Sequence, residues 1–152
     1  MATLPRMLAI DYFDGATEGF IDQFEGAGPY FFKVIAWDSD QNKRLYSMAR
    51  VDCSTFSELV DLLSQTHPPV STATWIPTWN FDDEKLRSRA NAIVDAARRS
   101  LQPPVLLAVG EDLLAGAKVV QPNALGMAFA RDLTQASKPG ELEAWLSRSF
   151  DR

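Results

Sequence analysis

The chain has few of the residues on which enzyme and metal sites depend. Its 152 residues include one cysteine, Cys53, and one histidine, His67. A single cysteine excludes an internal disulfide and a cysteine-based metal cluster, and it suits a reducing compartment. A serine or cysteine triad would have to use His67, but no nucleophile-elbow pattern surrounds a candidate partner. We therefore predict no catalytic residue and no metal site.

Long apolar runs and a glycine-rich phosphate loop are also missing. No stretch approaches the ~18 apolar residues of a membrane span, and residues 1–10 are too short and too soon followed by charge for a secretion signal. The best phosphate-loop candidate, residues 110–118, has five residues between its glycines and two acids in the cradle. We therefore predict a cytoplasmic protein with no cofactor and no membrane partner.

One segment resembles the opening of a calcium loop. Asp38, Asp40 and Asn42 alternate as such ligands do, but Lys43 stands where the sharp turn needs glycine. Ala49 stands where a bidentate glutamate is needed. The segment instead predicts a hairpin turn whose side chains bond to the backbone.

The charge is unevenly distributed along the chain. There are 20 acids and 15 Lys and Arg residues, which gives a net charge of −5. Residues 1–67 hold ten acids and five bases, whereas residues 68–152 hold ten of each. The N-terminal half should therefore repel nucleic acid and attract a basic partner.

The first fifty residues predict strands, and later segments predict mostly helices. Short apolar, aromatic or alternating runs separated by turn residues predict strands at 6–13, 17–24, 30–37 and 45–51. The change to helical spacing predicts one helix from Thr55, through a capping box with Glu58, to near Gln65. A second helix is predicted over 81–101 with Asp82 as its N-cap.

The rest of the chain gives weaker patterns. We predict a loop at 66–80, a strand at 105–109, a hairpin or a helical turn and strand at 113–120, and helices at 124–135 and 137–150. The predicted fold class is α+β. An N-terminal antiparallel β-meander of three to four strands is packed by three to four helices from the C-terminal two-thirds. Residues 1–152 are predicted to form one compact domain.

Two groups of residues are candidates for partner binding. Trp75 and Trp79 lie in a proline-stiffened loop, which forms either a recognition site or a lid over the core. Acidic residues of the predicted sheet and its turn are candidates for contact with a basic partner: Glu18, Asp22, Asp38 and Asp40.

The residue types and motifs in the sequence favour a non-catalytic binding or interaction protein. An acidic inhibitor or immunity-type antagonist of a basic protein partner would fit the charge. One alternative is a carboxylate-dependent hydrolase or small-ligand-binding domain, although Glu18 and Asp22 would lie about 13 Å apart along a strand backbone. Another alternative is a subunit of a larger assembly, and a homo-oligomer is compatible with the sequence.

Overall fold

The computed structural model of the chain describes residues 7–12, 16–38, 42–64, 73–75, 83–101, 106–114, 116–121, 142 and 147. Two helices occur among them, α1 (Cys53–Ser64) and α2 (Glu84–Arg99). The strands are β1 (Met7–Tyr12), β2 (Ala16–Ile21), β3 (Tyr30–Asp38), β4 (Lys43–Arg50), β5 (Ala73–Trp75), β6 (Leu106–Gly110) and β7 (Lys118–Val120). They form one sheet in the order β5-β1-β2-β3-β4-β6-β7.

Most of the sheet is antiparallel. Met7 of β1 lies opposite Ile21 of β2, and β6 pairs antiparallel with both β4 and β7. Among the described strands, β5, at the edge beside β1, is the one that pairs in parallel. The four predicted N-terminal strands are confirmed, and β3 is central as its apolar faces indicated.

The predicted fold class is wrong in its helices. Instead of three to four helices packed on a meander, the described residues contain an antiparallel sheet of six strands, one parallel edge strand and two helices. Strands from the C-terminal part, β6 and β7, extend the sheet beyond β4. A free β4 edge would leave a row of backbone donors and acceptors unpaired, and β6 pairs with them.

The loop predicted at 66–80 is also corrected, because residues 73–75 form β5 along β1. A strand of three residues is too short for its periodicity to be detected in the sequence. The predicted segment 113–120 ends in a strand, β7, which pairs back on β6. The predicted helix at 124–135 lies outside the described residues, and of the one at 137–150 only Leu142 and Ser147 are described.

Both predicted helices of the middle of the chain are confirmed, with shifted starts. Helix α1 begins at Cys53 rather than after Thr55, because the Asp52 carbonyl accepts from the N–H groups of Thr55 and Phe56 at 3.0 and 3.2 Å. The N-cap of α2 is Asp83 rather than Asp82. Its carboxylate accepts from the Lys85 N–H at 2.8 Å and thereby supplies a bond that the first turn lacks.

The chain divides into two compact units, and the prediction of one compact domain stays a prediction. Unit 1 comprises Met1–Phe32 and Ala49–Pro104, and unit 2 comprises Lys33–Met48 and Val105–Arg152. In unit 1, strand residues pack with the inward stripes of α1 and α2, and the rings of Phe20 and Phe31 meet edge to face at 5.1 Å. Unit 2 has a smaller cluster formed by Ala36, Leu45, Leu107 and Leu142.

Candidate functional site

Unit 1 contains a cavity of ≈ 310 Å³. It lies among the end of β4, the start of α1 and one face of α2. This volume is at the lower end of the range for small-ligand sites in proteins. The lining residues are Arg50, Val51, Asp52, Thr55, Glu58, Arg89, Ala92, Ile93, Ala96, Ala97 and Ser100.

The end of β4 is fixed by the segment that precedes β3. The Val51 N–H donates to the Pro29 carbonyl at 3.0 Å, and the Arg50 guanidinium donates through Nη2 to the Gly28 carbonyl at 2.8 Å. The guanidinium carbon of Arg50 also lies 5.5 Å from the centroid of the Tyr30 ring. A hydrogen bond and a cation–π contact therefore both restrict the Arg50 side chain.

Helix α1 supplies polar groups from a single face. Asp52, Thr55 and Glu58 are spaced three residues apart, so that they follow one another along the cavity side of the helix. Asp52 and the first turn of α1 place a carboxylate and the positive end of the helix dipole at the cavity.

Helix α2 supplies an apolar floor to the cavity, formed by Ala92, Ile93, Ala96 and Ala97. Its cavity-lining residues recur at spacings of three and four, from Arg89 through Ala96 to Ser100. Ala92 and Ala96 are exposed, and larger side chains at these positions would fill the space. At the far end, the Ser100 hydroxyl donates to the Ala97 carbonyl at 2.6 Å.

An ion pair joins the two helices across the cavity wall. The Arg89 guanidinium binds Glu58 with two nitrogens; Nε donates to Oε1, and Nη2 donates to Oε2 at 2.8 Å. Hydrogen bonding from Arg89 lowers the pKa of Glu58 below its ordinary value, and the same pair raises the pKa of Arg89. The Glu58 carboxylate therefore stays ionised at neutral pH. Glu58 pairs with Arg89 instead of closing the predicted capping box.

Glu18, predicted to contact a basic partner, is buried. It lies on β2 with 5% of its surface exposed, and it accepts from Arg98 of α2 at 2.6 and 3.1 Å. Hydrogen bonding to Glu18 raises the pKa of Arg98. The Arg98 guanidinium of the same chain therefore already neutralises the Glu18 carboxylate.

The other predicted partner-binding residues are not gathered at the cavity. Asp38 is buried, and Asp22 is half-buried, with an oxygen that has no hydrogen-bond partner among the described residues. The backbone of Trp75 lies in β5, opposite Ala9. Asp40 and Trp79 lie outside the described residues. The partner-binding role of these residues and of Glu18 stays a prediction.

No protein-family model, curated protein or solved structure matches the chain. Within the part of the chain that the structure describes, no helix is long and apolar enough to cross a membrane. The described side chains also contain no group of three or more metal-ligating residues suited to an ion.

Sequence reasoning missed the residues that line the cavity. The sequence assigns Glu58 only to a capping box, and no pattern in it distinguishes Arg50 or Arg89 from other charged surface residues. The available signal was the pair of small residues, Ala92 and Ala96, on the otherwise polar side of α2. Small exposed residues at helical spacing are compatible with a concave surface, but they do not identify one.

Proposed function

We propose that this chain is a non-catalytic binding protein and that the cavity of unit 1 is its ligand site. The observation that carries the proposal is the lining: apolar residues of α2 and polar groups from the end of β4 and from α1 border one volume of ≈ 310 Å³. Sites for small molecules combine apolar surface with a few placed polar groups in this way.

The bonding of the lining supports binding rather than catalysis. The Glu58 carboxylate is held by Arg89 with a lowered pKa, so it is not a proton donor near neutral pH. The Ser100 hydroxyl donates to a backbone carbonyl, so its proton is not directed toward a catalytic base. A carboxylate-dependent hydrolase stays the alternative, and it would have to use Asp52.

An interaction with a basic protein stays a prediction from charge. Its support comes from the excess of acids in residues 1–67, but Glu18 and Asp38 are buried in the structure. The role of a subunit in a larger assembly likewise stays a prediction. The cavity gives a more specific basis for a proposal than either.

A ligand screen on a variant with a filled cavity tests the proposal. Ala96→Trp places a large ring in the lining, and Asn91→Trp places the same ring on α2 at an exposed position outside the lining. We expect a compound from a panel of amino acids, carboxylates, amines, nucleosides and sugars to raise the Tm of wild type and Asn91→Trp. At saturation the increase should be about 5–10 °C.

The same compound should leave the Tm of Ala96→Trp unchanged and should be recovered chemically intact after incubation with the protein. Stabilisation that survives Ala96→Trp would place the site elsewhere. Conversion of the compound by wild type, but not by Ala96→Trp, would make the chain an enzyme.

A further inference from the structure

Among the described residues, one cation and one anion that line the cavity have no ion-pair partner. Four charged residues line it, and two of these, Glu58 and Arg89, bind each other. Neither Arg50 nor Asp52 has an ion-pair partner among the described residues. A ligand that enters the cavity therefore meets charges of both signs that are two residues apart in the chain.

Arg50 is prepared to bind a carboxylate. Among the described residues, the Arg50 guanidinium donates one hydrogen bond, from Nη2 to the Gly28 carbonyl, so others of its five N–H donors are available to a ligand. The Tyr30 ring and the Gly28 carbonyl restrict the side chain before a ligand arrives. Less side-chain entropy is then lost on binding, and a guanidinium matches a carboxylate with two parallel hydrogen bonds.

Asp52 is prepared to bind an ammonium group. Its backbone carbonyl is used by the first turn of α1, but no described residue donates to its side-chain carboxylate. It is exposed at the start of the helix and lines the cavity. An ammonium group has three donors for such a carboxylate.

The two charges together select against ligands with only one charge. A simple anion attracted by Arg50 would be repelled by Asp52, and a simple cation attracted by Asp52 would be repelled by Arg50. A ligand that carries both an anion and a cation pairs with each residue, so the same two residues favour it and disfavour its singly charged relatives.

The apolar part of the lining limits the body of the ligand. Val51, Ala92, Ile93, Ala96 and Ala97 line the cavity beside the charged residues. A volume of ≈ 310 Å³ accommodates a small molecule with an apolar side chain.

We infer that the ligand is a free apolar amino acid, with its carboxylate on Arg50, its ammonium on Asp52 and its side chain on the α2 floor. This inference rests on the proposed binding function of the cavity.

Two matched sets of compounds test the inference by calorimetry. L-leucine is compared with 4-methylpentanoate and 3-methylbutylamine, and L-phenylalanine is compared with 3-phenylpropanoate and 2-phenylethylamine. Each set keeps the apolar body and removes one charged group. We expect at least one amino acid to bind roughly tenfold or more tightly than both of its relatives, because each lost charged contact reduces affinity by about that factor.

Two variants assign the charges. Arg50→Gln should weaken binding of the amino acid and of the carboxylate but not of the amine. Asp52→Asn should weaken binding of the amino acid and of the amine but not of the carboxylate, and asparagine keeps the size of the side chain while removing its charge. Arg99→Gln, which neutralises an exposed base of α2 outside the lining, is the matched control and should bind as wild type does.

The outcomes separate the inference from the proposed function. If a singly charged relative binds as tightly as its amino acid, the ligand class is wrong but the cavity is still a binding site. The ligand class is also wrong, and the cavity is still a binding site, if neither set binds while another compound binds wild type but not Ala96→Trp. Amino-acid binding that Ala96→Trp leaves intact would contradict both.

Discussion

Tyr46 is a buried phenol in unit 2 whose ionisation opposes folding. Only 2% of its surface is exposed, and its hydroxyl donates to the Glu111 carbonyl at 3.4 Å. Burial is the main cause that raises the pKa of Tyr46 to about 12, and the Asp112 carboxylate adds to it while Arg44 opposes it. The neutral phenol is therefore the form that the folded protein tolerates.

This environment predicts a loss of stability in alkali. Above about pH 10 an unfolded tyrosine releases its proton, whereas folded Tyr46 keeps it until about pH 12. The unfolded state then binds fewer protons, so the free energy of unfolding falls as the pH rises through this window. In urea unfolding, the free energy of unfolding should fall by roughly 2 kcal/mol more in wild type than in Tyr46→Phe between about pH 9 and pH 12. An equal loss in both proteins would show that Tyr46 titrates normally.

The cavity residues show which features of single residues could not be predicted from the sequence. Arg50, Asp52 and Arg89 are ordinary surface types, and their significance comes from the partners that folding gives or denies them. Only the placement of Gly28 and Tyr30 beside Arg50 distinguishes that arginine from other exposed bases. Such partners are distant in the chain and leave no local pattern.

Among the elements, the Glu18–Arg98 pair connects α2 to the sheet of unit 1. Glu18 lies on β2 and Arg98 in the last turn of α2, where a cation also favours the helix dipole. The side chain of Glu18 is 7% exposed and that of Arg98 is 49% exposed. The pair is therefore asymmetric, since removal of the arginine leaves a buried carboxylate while removal of the glutamate leaves a cation that can reach water.

The asymmetry predicts unequal effects of substitution. Arg98→Met should lower the free energy of unfolding by roughly 1–3 kcal/mol, because a buried charge loses its hydrogen-bonding partner. Glu18→Gln combined with Arg98→Met should recover part of this loss, since the buried group is then uncharged. Arg99→Met, one residue further along α2, should change stability by less than about 0.5 kcal/mol. Urea unfolding measures all three, and equal effects of Arg98→Met and Arg99→Met would show that the pair does not stabilise the fold.

Elements with a strong local pattern were predictable, including the five-residue strand β6, whereas the three-residue edge strand β5 was not. The four N-terminal strands and both helices were found from their periods and caps, with errors of a few residues at helix starts. The start of α1 shifted because the Asp52 carbonyl accepts from Thr55 and Phe56, and the start of α2 shifted because Asp83 supplies the capping carboxylate. Strand β5 was missed because its three residues are selected by pairing with β1, which is a tertiary contact.

For the whole molecule, composition favours some classes of function over others but does not indicate where the proposed ligand site lies. The excess of acids in residues 1–67 pointed to an acidic surface, yet folding buries Glu18 against Arg98 and also buries Asp38. The cavity instead arises in unit 1 among the end of β4, α1 and α2, and its lining comes from two stretches of the chain, residues 50–58 and 89–100. Net charge describes solubility and steering, whereas a site depends on which charges stay unpaired.

The most direct test of the central claim is an amide NMR titration of the wild-type protein. The probe is the compound that stabilises it most in the screen. Saturable shifts should concentrate on residues that line the cavity, among them Val51, Thr55, Ala92 and Ala96, and the Asn91→Trp variant should reproduce them. Shifts that centre instead on β6 and β7, or that persist unchanged in Ala96→Trp, would contradict a ligand site between α1 and α2.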